Sequence, residues 1–486
     1  MGIVIAQSFK NTISTYLGFG IGAINTLFLY TNFLSDAYYG LVAFVLSAAN
    51  IMMPIMAFGV HNAIVKFYST YKSRQSLDSF LTLMLILPLI VIIPVGIIGC
   101  ISYDAISSFL AAKNQIVEPY IWQMFAIAIA MAYFEIFYAW SKVQLQTVFG
   151  NVMKEIFHRA LITMLLCAVY FNWLTASQFV HALVVVYGLR MLLMKLYAYV
   201  IRAPRFRFQK IANLNQILTY TSLMIIAGSV AMIILDIDKF MIGLLLPQIE
   251  NVAYYSVAIF IATVIAVPQR AMHQIMLPLT AQYLNTKDFK KLGDLYQRSS
   301  INLLVISGFI FLLIILNINQ LYQLLPQKFT GGLIVVLVVS IAKLYDNALG
   351  NNNAILFNSD YYKMVLIFGV FLTFITILLN LIFIPLLGIN GAAIATFLAI
   401  ALYNTLKVIY VKRKFNMLPF TVDSIKVLII ILVVIALLYF WDFPYHPIVN
   451  IVLKSIIATL VYGSTIYLLK ISVEITDLMK RNLPLN

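Results

Sequence analysis

The residues with chemistry to offer are few, and they lie inside apolar runs. Asp236, Asp238 and Lys239 sit in one run, Glu135 in another, Lys343 and Asp346 in a third. An ionisable group among hydrocarbon is costly, so it pairs, faces a bundle interior or marks a substrate or ion path. Asp236 and Lys239 are three apart, as are Lys343 and Asp346, so each pair can meet on one helical face. Such a pair either lines a cavity, where it gates or binds a coupling ion, or neutralises itself near an interface. Asp238 projects elsewhere and needs another partner. Glu135, with Tyr133 and Tyr138 nearby, reads as a protonatable coupling group or as a neutral carboxyl bonded to a neighbouring helix. Arg270 follows Pro268, with His273 close behind, and Lys66 and His61 hold the comparable end of an earlier run. Together these cations suit an anionic headgroup; singly they also read as anchors that snorkel to the interface. Arg190 and Lys195 are similar candidates.

The sequence offers no catalytic constellation. It has no Walker-type phosphate loop and no carboxylate or His/Cys cluster in a loop facing water. Cys100 and Cys167 supply neither metal spacing nor a disulfide framework. The expectation is a non-enzyme without metal or cofactor.

The elements that must position these groups follow from composition. Of 486 residues, 63% are hydrophobic and 10% charged, against roughly 45–50% and about 25% in ordinary soluble chains. The solvent that accommodates such a chain is lipid, and apolar runs of roughly 20 residues, enough to span it, recur throughout. The expected class is all-α, a polytopic membrane protein of about 14 spans. Their positions are 10–33, 39–62, 79–100, 119–140, 154–172, 178–200, 215–246, 252–277, 299–317, 330–349, 363–384, 390–411, 424–441 and 447–469. The net charge of +15 reflects basic loops rather than nucleic-acid binding. Alternate loops carry Lys66, Lys72 and Arg74; Lys142 and Lys154; Arg202, Arg205, Arg207 and Lys210; Lys287, Lys290, Lys291 and Arg298; and Lys412, Arg413 and Lys414. Loops between them hold little positive charge, which places both termini in the cytoplasm. No cleavable signal peptide is expected.

The cluster Arg202–Asn215, with Pro204, divides the chain. The expected organisation is an N-terminal six-helix lobe over 1–203, a C-terminal six-helix lobe over 211–415, and two further helices with a cytoplasmic tail over 421–486. A faint repeat supports it. Tyr38-Tyr39, Pro54 and His61 recur at similar spacing as Tyr254-Tyr255, Pro268 and His273, and parallel repeats mark transporters. Pro54, Pro88, Pro94, Pro268 and Pro278 each remove a helical hydrogen bond and favour a bend.

Three stretches resemble one family. Leu379-Asn380-Leu381-Ile382-Phe383-Ile384-Pro385 with Gly388-Ile389-Asn390-Gly391-Ala392-Ala393-Ile394-Ala395-Thr396, Leu235-Asp236-Ile237-Asp238-Lys239-Phe240-Met241-Ile242-Gly243 with Val252-Ala253-Tyr254-Tyr255-Ser256, and Tyr39-Gly40-Leu41 with Phe58-Gly59-Val60 are similar to polysaccharide-biosynthesis flippases, the O-antigen translocase branch of the multidrug/oligosaccharidyl-lipid/polysaccharide exporter superfamily. Physically, the first stretch reads as a tight turn at Pro385 and Gly388 followed by a close-packing small-residue face. The resemblance implies a flippase in a bacterial inner membrane. It would move an undecaprenyl-pyrophosphate-linked oligosaccharide (O-antigen, capsule or exopolysaccharide unit) to the periplasmic leaflet by alternating access, through a cationic cavity. That role would recruit Arg270, Lys239, Lys66, His61 and Lys343 for substrate, and Asp236, Asp238, Glu135 and Asp346 for coupling or gating. Implied partners are the lipid-linked oligosaccharide, membrane lipids, H+ or Na+, and a polysaccharide polymerase with its chain-length regulator. A lipid II flippase and a drug/cation antiporter share the superfamily; the first span lacks the acidic residue such antiporters carry. A polymerase or ligase needs a large outer loop, and the outer loops are short.

Overall fold

The computed structural model describes residues 2–209, 211 and 213–482. Lys210 of the basic linker lies outside the described residues. Every regular element among the described residues is helical. Among the described residues, eleven helices are long and apolar enough to cross a membrane, from Lys10–Phe33 to Pro447–Leu468. Three further expected spans coincide with the stretch Val148–Tyr170, with Leu214–Leu245 and with Val422–Leu438, outside those eleven.

Local chemistry sets the helix ends. Ser35, Ser73 and Thr175 accept the first free amides of their helices, and Thr175 with Gln178 forms a reciprocal capping box. The five prolines fall at different points, and Pro94 and Pro278 lie inside the unbroken helices Leu89–Ile101 and Val267–Asn285. Pro88 separates Arg74–Ile86 from Leu89–Ile101. Pro268 occupies the first turn of Val267–Asn285, where a missing amide costs nothing. Pro54 lies near the end of Asp36–Met56, and Gly59 then turns the chain into Val60–Phe67 with φ +65°. A Cβ at Gly59 would lie 2.5 Å from the Thr221 carbonyl oxygen. The junction expected at Pro385 and Gly388 is tighter than foreseen. Pro385 stays inside the helix ending at Leu387, and Gly388 alone, at φ +60°, turns into Ile389–Phe415.

The chain condenses into two compact units, Met1–Ser256 and Val257–Asn486. In the first, Ile121–Lys142 packs against Asp36–Met56, Val60–Phe67 and Ala176–Ile201. Phe80, Phe134 and Trp140 are fully buried in its core. The helix Leu214–Leu245 packs on Asp36–Met56, with Phe240 stacked on Phe44 at 5.2 Å. In the second, Phe289–Gln323 carries the core through Leu304, Leu312 and Leu316, and Val422–Leu438 and Pro447–Leu468 pack onto it. That attachment is also polar. Lys454, 2% exposed, donates to Asp442 at 2.9 Å, and Gln320 donates to the same carboxylate at 2.5 Å.

Candidate functional site

The first unit assembles a buried charged cluster. Glu135 faces inward from Ile121–Lys142. Lys154 reaches it at 2.6 Å from a π-helical turn, Met153–Phe157. A π turn is a wide, costly detour found often at functional sites. This one is braced from the helix Gly2–Ile24, where a Cβ on Gly18 would collide with the Glu155 carbonyl. Asn25, in a second π turn, donates to the Arg159 carbonyl at 2.9 Å and accepts from Thr163 at 2.7 Å.

More cations gather around this pair. Lys142 lies two helical turns beyond Glu135, its ammonium 3.8 Å from the Tyr138 ring centroid. Lys142, Lys154 and His61 are all within electrostatic reach of Glu135. His61 Nε2 is 3.0 Å from the Asn62 amide nitrogen; its Nδ1 is buried with no hydrogen-bond partner among the described residues. Arg190, 7% exposed, places its guanidinium carbon 4.3 and 4.8 Å from the Phe134 and Tyr187 ring centroids. Its charge is within reach of Glu135 and Glu155, and Arg159 stands 3.7 Å from Glu155. Four basic side chains, Lys142, Lys154, Arg159 and Arg190, thus face two carboxylates. Such a cluster has positive charge to spare for an anion.

The sequence-derived candidates distribute as follows. Asp236 and Lys239 pair at 2.6 Å, as their spacing allows, and Asp236 lies within electrostatic reach of Tyr187. Asp238 accepts a 2.6 Å hydrogen bond from Tyr255, the separate partner it required. Glu135 meets an ammonium rather than a neutral group. Lys66 is exposed and stands 3.9 Å above the Tyr220 ring, an amphipathic stem laid on an aromatic face. Arg270, Lys343 and Asp346 belong to the second unit. Arg270 is exposed and makes no hydrogen bond or ion pair among the described residues. Asp346 accepts from Asn404 at 3.1 Å. Beside it lies Lys407, 1% exposed, donating to Asn353 at 2.9 Å with its ammonium 4.1 Å from the Tyr403 ring.

Sequence reasoning missed several of these groups. Lys142 and Lys154 read as loop charges because they end apolar runs. His158, Arg159, Lys407 and Lys454 lay inside expected spans, the signal that singled out Glu135. No group of three metal-ligating side chains exists among the described residues.

Eleven helices of spanning length and apolarity among the described residues, with ionisable groups buried among them, define a multi-pass membrane protein. The chain belongs to the polysaccharide biosynthesis protein family, whose model matches residues 4–284. Among solved structures, it resembles the lipid II flippase MurJ in an inward closed conformation, at 15% identity and TM-score 0.69, over 94% of this chain and 98% of that one. It also resembles an inward-facing multidrug resistance MATE transporter of the MOP superfamily, at 15% identity and TM-score 0.59, over 85% and 94%. A MOP superfamily transporter from Pyrococcus furiosus matches at 15% identity and TM-score 0.57, over 85% and 96%. These likenesses establish the fold. No curated protein matches by sequence.

Proposed function

We propose that this protein is a flippase that carries an undecaprenyl-pyrophosphate-linked oligosaccharide, an O-antigen, capsule or exopolysaccharide unit, from the cytoplasmic to the periplasmic leaflet by alternating access. The observation that carries this reading is the first unit's buried cluster, with four basic groups around Glu135 and Glu155. An unaided charge crossing hydrocarbon meets an idealised cost on the order of 20 kcal/mol. Fixed cations lower it, and the membrane potential adds roughly 2.3 kcal/mol per charge per 100 mV in the outward direction for an anion. In this reading Lys154, Lys142 and Arg190 join Arg270, Lys239, Lys66, His61 and Lys343 as substrate-binding groups. Asp236, Asp238, Glu135 and Asp346 couple or gate through H+ or Na+. The lobes are 1–203 and 211–415, with 421–486 appended, and both termini face the cytoplasm of a bacterial inner membrane. A polymerase and chain-length regulator would receive the product. The test replaces Lys154 and Arg190 by alanine in a cell whose surface polysaccharide depends on this gene. Loss of surface glycan at normal protein abundance supports the reading; full display by the double variant overturns it.

A second reading, lipid II as cargo, is favoured by coverage. The match to the lipid II flippase extends over 94% of the chain, where the multidrug transporter covers 85%. Growth of a strain lacking its own peptidoglycan flippase, sustained by this gene alone, would select it.

A further inference from the structure

The basic linker after Ile201 is bound down onto the first unit. Arg202 donates to Asp78 at 2.9 Å, and Asp78 is only 4% exposed. The Arg207 amide donates to Thr82 Oγ1 at 3.2 Å, and Tyr71 donates to Asn213. Between the linker and the helices Arg74–Ile86 and Leu214–Leu245 lies a cavity of about 860 Å³.

Its lining changes character along its walls. Ser79 and Thr82 lie one turn apart on Arg74–Ile86; Leu83 and Ile86 continue the same wall toward the helix end. At 1.5 Å per residue, Ser79 to Ile86 spans roughly 10 Å. The linker side contributes Arg207 and Phe208, and the start of Leu214–Leu245 contributes Asn215. No carboxylate lines the cavity among the described residues, and the nearby Asp78 is paired with Arg202. The Arg207 guanidinium has no hydrogen-bond or ion-pair partner among the described residues, although its backbone is fixed. Phe206 and Phe208 alternate with Arg205 and Arg207 and are 65% and 82% exposed. Alternating aromatic and basic side chains suit a membrane–water interface, where rings sit at headgroup depth.

We propose that this cavity binds an anionic glycerophospholipid. Its phosphodiester meets the Arg207 guanidinium, which matches phosphate geometry as a planar fork. Amides such as Asn213 and Asn215 face the headgroup, and one acyl chain follows Leu83 and Ile86. A lipid here clamps the linker to Arg74–Ile86. The inference stands apart from the identity of the transported substrate, since it concerns the first unit alone.

The test is native mass spectrometry of the purified protein with phosphatidylglycerol, with phosphatidylcholine, with a polyprenyl monophosphate and with inorganic phosphate. Arg207→Gln is compared with Arg205→Gln, which removes the same charge from an exposed position outside the cavity. Phosphatidylglycerol should bind best, and Arg207→Gln should weaken it about tenfold while Arg205→Gln leaves it unchanged. Equal weakening by both variants would reduce the site to general surface charge and overturn the proposal. So would undiminished binding to Arg207→Gln, preference for the polyprenyl phosphate, or equal retention of free phosphate. None of these readouts involves translocation, so failure here leaves the flippase reading standing, and failure of that reading leaves this one.

Discussion

Lys154 and Glu135 meet at 2.6 Å although they stand nineteen positions apart with a loop between them. One belongs to a π-helical turn, the other to a regular helix, so the ion pair ties the irregular turn to the core helix Ile121–Lys142. Glu135 is the more deeply buried partner, at 14% side-chain exposure against 36% for Lys154. Losing the lysine therefore leaves the greater problem behind.

That asymmetry makes a prediction. Breaking a buried pair from one side costs about 3–5 kcal/mol in general. Lys154 is over a third exposed, which screens the pair, and Lys142 stays within reach of the carboxylate, so Lys154→Met should cost about 1–3 kcal/mol. Adding Glu135→Gln should recover most of that loss. Thermal midpoints of the single and double variants in one detergent check it; a double variant no better than Lys154→Met would mean the pair contributes nothing beyond packing.

Gly59 is expected to tolerate no side chain. Its φ of +65° is left-handed, and the Thr221 carbonyl stands 2.5 Å from a Cβ there. Backbone strain of this kind costs on the order of 1–3 kcal/mol, and the collision adds to it. Gly20, with open space around it, is the control: alanine there should be neutral or stabilise by up to about 1 kcal/mol, following helix propensity. Fluorescence-detected thermal melts of Gly59→Ala and Gly20→Ala measure the difference.

Much of this was legible in the chain and some was not. Span positions follow from hydrocarbon length, which is why 178–200 foreshadows Ala176–Ile201. The Asp236–Lys239 pair follows from helical geometry, since three residues bring side chains to one face. Lys142 and Lys154 are different. Each ends an apolar run and looks like a loop anchor; only tertiary packing and a π turn direct them at Glu135. The π turn leaves no sequence signature, because it answers to the neighbouring helix at Gly18 and Asn25 rather than to its own residues. Lys407 and Lys454 were legible in principle, as lone lysines inside apolar runs, but each lies within reach of an interface where snorkelling explains it.

The linkage of helix ends to pH is testable at Asp288. It caps Phe289–Gln323 by accepting the Lys291 amide at 3.1 Å. Hydrogen bonding from the Lys291 side chain, then from its amide, holds the Asp288 carboxyl below the usual carboxylate range. A depressed value means the cap's contribution is complete above the ordinary carboxyl range and disappears as pH falls through the lowered value. Hydrogen exchange of the first turn should therefore be faster in Asp288→Ala than in wild type at neutral pH, and the difference should shrink in acid as the wild-type cap protonates. Asp288→Asn, which keeps a capping oxygen, should lose the pH dependence and retain most of the protection.

The two buried lysines of the second unit should respond differently to methionine. Lys454 is bound to the Asp442 carboxylate and the Tyr439 carbonyl, 2.9 and 3.1 Å away. Its loss takes a donor from both the Tyr439 carbonyl and the Asp442 carboxylate, which keeps its bond from Gln320, where the last two helices join Phe289–Gln323. Lys454→Met should destabilise, and Lys454→Met with Asp442→Asn should recover part of the loss. Lys407 donates to a neutral amide, Asn353, so Lys407→Met removes a buried charge with no salt-bridged carboxylate among the described residues. A buried ammonium without a paired carboxylate carries its desolvation cost uncompensated, and an apolar side chain of similar size removes that cost. Lys407→Met should thus melt no lower than wild type; a large drop would show that its charge holds Asp346 and Asn404 in place.

Arg190 separates charge from packing within the first unit's cluster. It is 7% exposed, with its guanidinium against the Phe134 and Tyr187 rings, and its Nε has no hydrogen-bond partner among the described residues. Desolvated cation–π contacts of this type contribute about 2 kcal/mol. A purely structural arginine would be replaced adequately by methionine, which fills similar volume beside the rings. A substrate-facing arginine would not, because its spare donors are what an anion needs. Arg190→Met should therefore reach the membrane at normal abundance and melt within a few degrees of wild type, yet lose most surface glycan. Arg190→Lys keeps the charge but not the planar fork, and should fall between. Glycan display normalised to protein abundance decides it: equal display by Arg190→Met and wild type would remove Arg190 from the binding groups and leave it a packing residue beside two rings.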